Sequence, residues 1–216
     1  MRESGTTKIV ALGDSLTLGE TGFTFSAADE PVTPYPQCLE VFAEEYLRSR
    51  QSAVTVEVLN KGVNGDLTSG MLERFSMDVV DEKANCVIVL GGTNDIGWGL
   101  DPTMILHNLT SIYDAARNKR ISAVACSVPS ILGFDGLIPP RVDLNRAISR
   151  EAEKRKMPFL DLFTATADRG NNRLLEDYSA DGLHLNSKGY QRIGKYIFDN
   201  WLKVVLDHTS SVVSDT

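Results

Sequence analysis

The run CVIVLGG at residues 86–92 constrains this chain more than any other stretch. It is apolar at consecutive positions, whereas a strand with one wet face alternates apolar and polar residues. A strand of this kind needs cover on both faces, the condition of a parallel sheet sandwiched between helices. Further β-rich runs stand at 7–12 (TKIVAL), 54–59 (VTVEVL) and 121–128 (ISAVACSV), with a shorter one in PFLDLF at 158–163.

Between them the period changes to that of a helix. Residues 36–49 place Leu39, Phe42, Ala43 and Tyr46 on one face, and Met71, Leu72, Phe75 and Val79 mark a short helix. Asp101 followed by Pro102 is a helix start, with Ile105, Leu109, Ile112 and Ala116 as the buried face behind it. A helix is expected from about 140 to 156. Another begins near Ser187 and buries Tyr190, Ile193, Ile197, Trp201 and Val204. The tail 208–216 is expected to fray. No repeat, linker or charge boundary divides the sequence, so residues 1–216 read as one domain with a core at about 7–207. Strands alternating with helices give an α/β fold, whose ligand crevice lies beyond the carboxyl ends of the strands.

Charge narrows the partners. Acidic residues outnumber Lys and Arg by 29 to 22, for a net charge of −7. Nucleic acid demands a basic face, so no nucleic-acid partner is expected, and an acidic surface disfavours anionic membranes. No run reaches the length of a membrane span, and MRESGTTKIV lacks the apolar core of a signal peptide; a cytoplasmic location is the expectation. Cys38, Cys86 and Cys126 show no CxxC spacing and read as buried free thiols.

Four polar, glycine-bearing segments follow strands or precede the last helix. They are Gly13-Asp14-Ser15-Leu16, the stretch from Asn60 to Asp66 around Gly65, Gly91-Gly92-Thr93-Asn94-Asp95, and Asp181-Gly182-Leu183-His184. In this order, GDSL, the Gly65 block, GGTND and DGLH, the chain resembles the SGNH (GDSL) hydrolases from Ile9 to about Leu202. The resemblance implies a flavodoxin-like, three-layer α/β/α fold with a mostly parallel five-stranded sheet. It also implies a serine esterase that works through an acyl-serine, and it carries Ser, Gly, Asn and His onto Ser15, Gly65, Asn94 and His184. This is not the GxSxG elbow of α/β-hydrolases, because Thr17 stands where the second glycine would be.

The residues have the chemistry for it. A serine hydroxyl needs a base, and histidine is the usual one. Of the three histidines, His107 falls on a helix and His208 in the tail; His184 alone sits in a glycine-bearing loop. Asp181, three residues ahead, can reach its Nδ1 and leave Nε2 for Ser15. Taken alone, the pair also fits a helix cap beside a surface histidine. An oxyanion needs donors, and Ser15 N–H, Gly65 N–H and the Asn94 amide are the candidates. Gly65 and Asn94 are equally good turn residues by themselves. Asp14, Asp66 and Asp95 raise a Mg²⁺ site, but capping of local backbone explains them better, so no metal and no cofactor is expected.

Substrate choice lies in the loops. Phe23 and Phe25 in the long segment 19–35, Trp98 between two glycines, and Phe134 in an apolar loop are candidate walls of an acyl pocket, or simply core cover. The expected substrate is a small acyl ester. A carbohydrate O-acetylesterase is the alternative, and a catalytically silent binding module is disfavoured because every catalytic position is filled.

Overall fold

The computed structural model describes residues 5–22 and 32–212. Five strands, β1 (Thr6–Gly13), β2 (Thr55–Gly62), β3 (Cys86–Leu90), β4 (Ser122–Cys126) and β5 (Phe159–Leu160), form one sheet in the order β2-β1-β3-β4-β5. All four pairings are parallel. This is the flavodoxin-like order, in which the chain leaves β1 to one side and returns on the other. The crevice that results lies at the carboxyl ends of β1 and β3. There Gly13 is in register with Gly62 on one side and Leu90 on the other.

The consecutive apolar residues of the strands feed two separate cores. Ile9 and Ala11 of β1, with Ile88 and Leu90 of β3, face helices α2 (Tyr35–Ser49), α8 (Ser187–Ile197) and the residues that follow it. Val10 and Leu12, with Val87 and Val89, face α3 (Thr68–Glu73), α5 (Pro102–Asn118) and α6 (Ile138–Arg155). Each fully buried Leu or Ile in these layers contributes about 1.5–3 kcal/mol over an exposed one. Among the described residues no helix is long and apolar enough to cross a membrane. All three cysteines are free; Cys38 and Cys126 are buried and Cys86 is partly covered.

Several boundaries differ from the sequence reading. Strand β2 runs on to Gly62, so Asn60 and Lys61 belong to the sheet. In PFLDLF only Phe159–Leu160 is strand: Asp161 caps the helix α7 (Leu162–Thr166) by accepting from Thr164 N at 3.1 Å. One-turn helices follow β1 and β3, α1 (Ser15–Leu18) and α4 (Thr93–Gly97), where only turns were foreseen. The tail expected to fray from 208 is helical as far as Val212. Beyond α8 a π-helical turn (Phe198–Leu202) leads into α9 (Lys203–Val212), and 213–216 lie outside the described residues.

Candidate functional site

Strand β1 delivers Ser15 to the crevice as the first residue of α1. The sharp exit depends on Gly13. A Cβ there would stand 2.1 Å from Thr17 Oγ1 and 2.5 Å from the Leu90 carbonyl oxygen, so only glycine lets α1 fold back this closely. Asp14 caps α1, its Oδ1 accepting from Leu16 N at 2.9 Å. Ser15 itself is 3% exposed.

The loop before α8 supplies the other two groups. His184 Nε2 lies 3.2 Å from Ser15 Oγ, and His184 Nδ1 lies 2.7 Å from Asp181 Oδ2. A carboxylate only accepts, so Nδ1 carries the proton and Nε2 faces Ser15 with its lone pair. The other Asp181 oxygen accepts from the backbone N–H groups of Leu183 (2.9 Å) and His184 (2.8 Å). Burial alone would push the Asp181 carboxyl up. The His184 side chain and those two N–H donors outweigh it and hold the group below its ordinary value. The arrangement can pass a proton from Ser15 to His184 and stabilise the imidazolium that results.

Ser179, missed in the sequence, ties this loop shut. Its Oγ donates to the His184 carbonyl oxygen at 2.5 Å and accepts from Gly182 N at 2.9 Å. A serine two residues ahead of a capping aspartate is a turn former, and that was the available signal.

Gly65 and Asn94 follow β2 and β3, the two strands that flank β1. Gly65 adopts φ +73°, and a Cβ there would touch no protein atom within 4 Å. Its glycine is therefore explained by the left-handed backbone rather than by crowding. Asn94 Nδ2 donates one hydrogen to the Asp66 carbonyl oxygen at 2.8 Å, which orients the amide and leaves its second hydrogen for a ligand. No described residue takes a hydrogen bond from Ser15 N or Gly65 N. Ser15 N, Gly65 N and the second Asn94 amide hydrogen are thus unengaged donors on the segments that follow β1, β2 and β3. Asn94→Ala is expected to lower kcat by about 10²–10³ with little change in KM, the usual cost of one oxyanion donor. Steady-state kinetics on a p-nitrophenyl ester checks this, and a change confined to KM contradicts it.

Arg74, which the sequence did not single out, locks these loops together. Its guanidinium bonds Asp66 Oδ2 (2.8 Å), Asp78 Oδ2 (2.5 Å), and the carbonyl oxygens of Lys61 (2.9 Å) and Gly13 (2.8 Å). Nothing local in sequence announces such a hub. The three aspartates are each engaged separately. Asp66 pairs with Arg74, Asp95 accepts from Thr68 N and Oγ1, and Asp14 caps α1. Among the described residues no group of three His, Cys, Asp or Glu side chains is arranged to hold a metal ion.

Asp14 is fully buried, and its Oδ2 has no hydrogen-bond partner. Burial raises its pKa from 3.8 to about 7, against the Leu16 N–H bond and with help from Asp95. Between those values the folded protein keeps a proton that the unfolded chain has released. Stability therefore falls as pH rises through that window and levels off above it. Asp14→Asn, which needs no ionisation, is expected to gain Tm relative to wild type between pH 5 and pH 8. A Tm difference independent of pH would contradict this.

Beside Asn94 and Leu183, the neighbour of His184, opens a cavity of about 310 Å³. Thr93, Asn94, Gly97 and Trp98 form one side; Ile131, Phe134, Leu137, Arg141 and Leu183 form the other. Trp98 and Phe134, two expected wall residues, both line it and are 78% and 58% exposed. Phe23 and Phe25 lie outside the described residues.

A sequence model of the GDSL-like Lipase/Acylhydrolase family matches residues 11–192. No curated protein matches the chain by sequence. Among solved structures, the chain is similar to a lipase/acylhydrolase from Enterococcus faecalis, with 22% identity, a TM-score of 0.70, and 89% of this chain and 94% of that one covered. It is similar to a GDSL-like lipase from Bacteroides thetaiotaomicron VPI-5482, with 19% identity, a TM-score of 0.69, and coverage of 92% and 89%. A catalytic mutant of an acetylxylan esterase from Geobacillus stearothermophilus gives 16% identity, a TM-score of 0.72, and coverage of 93% and 96%. At such identities the structural likenesses establish a common fold, while the family match spans most of the sequence. The chain belongs to the GDSL-like lipase/acylhydrolase family of carboxylic ester hydrolases.

Proposed function

We propose that the chain, as one domain, hydrolyses small acyl esters through an acyl intermediate on Ser15. Ser15 Oγ attacks the ester carbonyl carbon while His184 Nε2 takes its proton. The oxyanion is received by Ser15 N–H, Gly65 N–H and the free Asn94 amide hydrogen. Collapse expels the alcohol, which takes the proton back from His184. Water then repeats the sequence on the acyl-serine and releases the acid. Asp181 keeps the imidazole in the tautomer this requires and balances its charge. The observation that carries the reading is the chain of contacts from Ser15 Oγ to His184 Nε2 (3.2 Å) and from His184 Nδ1 to Asp181 Oδ2 (2.7 Å).

The apolar walls beside Asn94 favour acyl groups longer than acetyl. Each added methylene that enters the cavity gains about 0.8 kcal/mol, or about four-fold in kcat/KM. The second reading, a carbohydrate O-acetylesterase, draws on the structural likeness to the acetylxylan esterase. A panel of p-nitrophenyl esters of increasing chain length, run beside acetylated xylo-oligosaccharides, tests the choice. Rising kcat/KM beyond acetate with slow sugar deacetylation is expected. A preference for the acetylated sugars overturns the first reading in favour of the second.

A further inference from the structure

Arg141 is a buried cation that the proposed chemistry leaves unused. It stands on the apolar stripe of α6, three residues after Ile138 and three before Leu144. Its residue is 1% exposed, among the largest fully buried side chains of the protein. Among the described residues its only hydrogen bond runs from Nη1 to the Leu137 carbonyl oxygen at 3.2 Å. Nε has no partner, no described carboxylate pairs with it, and nothing described accepts from Nη2.

A guanidinium hidden from water with no carboxylate in hydrogen-bond reach is costly, and a ligand carboxylate would offset that cost. Burial already draws the Arg141 pKa down to about 10, and Asp14, the residue before Ser15, is the charge that counters this. Arg141 lines the same cavity as Asn94 and Leu183, the neighbour of His184. Trp98, Ile131, Phe134 and Leu137 line it with them. Such a cavity combines an amide donor, apolar walls and a planar cation with unused hydrogen-bonding capacity.

We propose that Arg141 is a specificity residue that receives a carboxylate at the far end of the acyl chain, so that the preferred substrates are half-esters of aliphatic dicarboxylic acids. The guanidinium fork matches a carboxylate in shape and charge. The inference rests on the hydrolytic reading of Ser15 and adds the class of acyl group to it.

The test compares the p-nitrophenyl half-ester of adipic acid with p-nitrophenyl hexanoate, which has the same chain length and a neutral end. Wild type is expected to favour the half-ester in kcat/KM by about ten-fold or more, the worth of one hydrogen bond to a charged group. In Arg141→Met the ratio should fall to one or below. In Arg141→Lys, which keeps the charge without the fork and serves if the methionine variant fails to fold, it should fall several-fold. An unchanged ratio in either variant overturns the proposal. Calorimetry on Ser15→Ala gives a reading that needs no turnover: monomethyl adipate should bind about ten-fold more tightly than methyl hexanoate. Equal binding overturns the proposal and leaves ester hydrolysis standing. Full turnover by Ser15→Ala would instead overturn the hydrolytic reading and leave the binding comparison intact.

Discussion

Ser15→Ala is expected to lower kcat on p-nitrophenyl esters by about 10⁴–10⁶-fold, the scale seen when a serine nucleophile is removed. No other hydroxyl takes its place, because the proton acceptor His184 Nε2 is aimed at Ser15 Oγ alone at 3.2 Å. The fold should survive. The hydroxyl makes that one contact, worth about 0.5–1.5 kcal/mol, and alanine suits the first position of α1 at least as well. The paired measurement is turnover beside a thermal melt. A lost melt would assign the effect to folding, and retained turnover with an intact melt would remove Ser15 from the chemistry.

Asp181→Asn is expected to cost about 10⁴-fold in kcat with KM little changed. The substitution preserves most of the loop, since an asparagine Oδ1 can still accept from the Leu183 and His184 N–H groups at 2.9 and 2.8 Å. What changes is the atom facing His184 Nδ1. An amide nitrogen there donates, so Nδ1 must accept, the ring proton moves to Nε2, and Nε2 can no longer take the proton from Ser15. Because the carboxyl of Asp181 is held below its ordinary value, it is ionised across neutral pH and can play this part there. Kinetics of the variant across neutral pH check this. Near-normal kcat would mean that Asp181 serves only as the cap of its own loop.

These effects were foreseeable because the chemistry sits where strand runs end. The consecutive apolar residues of β1 and β3 announce a parallel sheet covered on both faces. The segments holding Ser15, Gly65, Asn94, Asp181 and His184 were legible because each is polar and glycine-bearing, and the resemblance to the SGNH hydrolases singled out Ser15, Gly65, Asn94 and His184 within them. The partners that hold them were not. Arg74 bonds groups at Lys61, Gly13, Asp66 and Asp78, and Arg141 faces a cavity built from three loops. Such contacts arise from tertiary closure, and no local pattern encodes them. Arg141 left one trace, a charged residue on a mainly apolar helical stripe, and a helix reading that counts only apolar positions passes over it. The end of β5 was misread for a related reason: Leu162 and Phe163 suit a strand, but Asp161 caps a helix there.

The central claim is that an acyl group is carried on Ser15. Labelling with a fluorophosphonate ester, followed by peptide mass spectrometry, tests it most directly. The account predicts one phosphonyl group per chain, on the peptide bearing Ser15, prevented by an ester substrate and absent from Ser15→Ala. An ester-hydrolysing protein that remains unlabelled, or that carries the label at another residue, would contradict it.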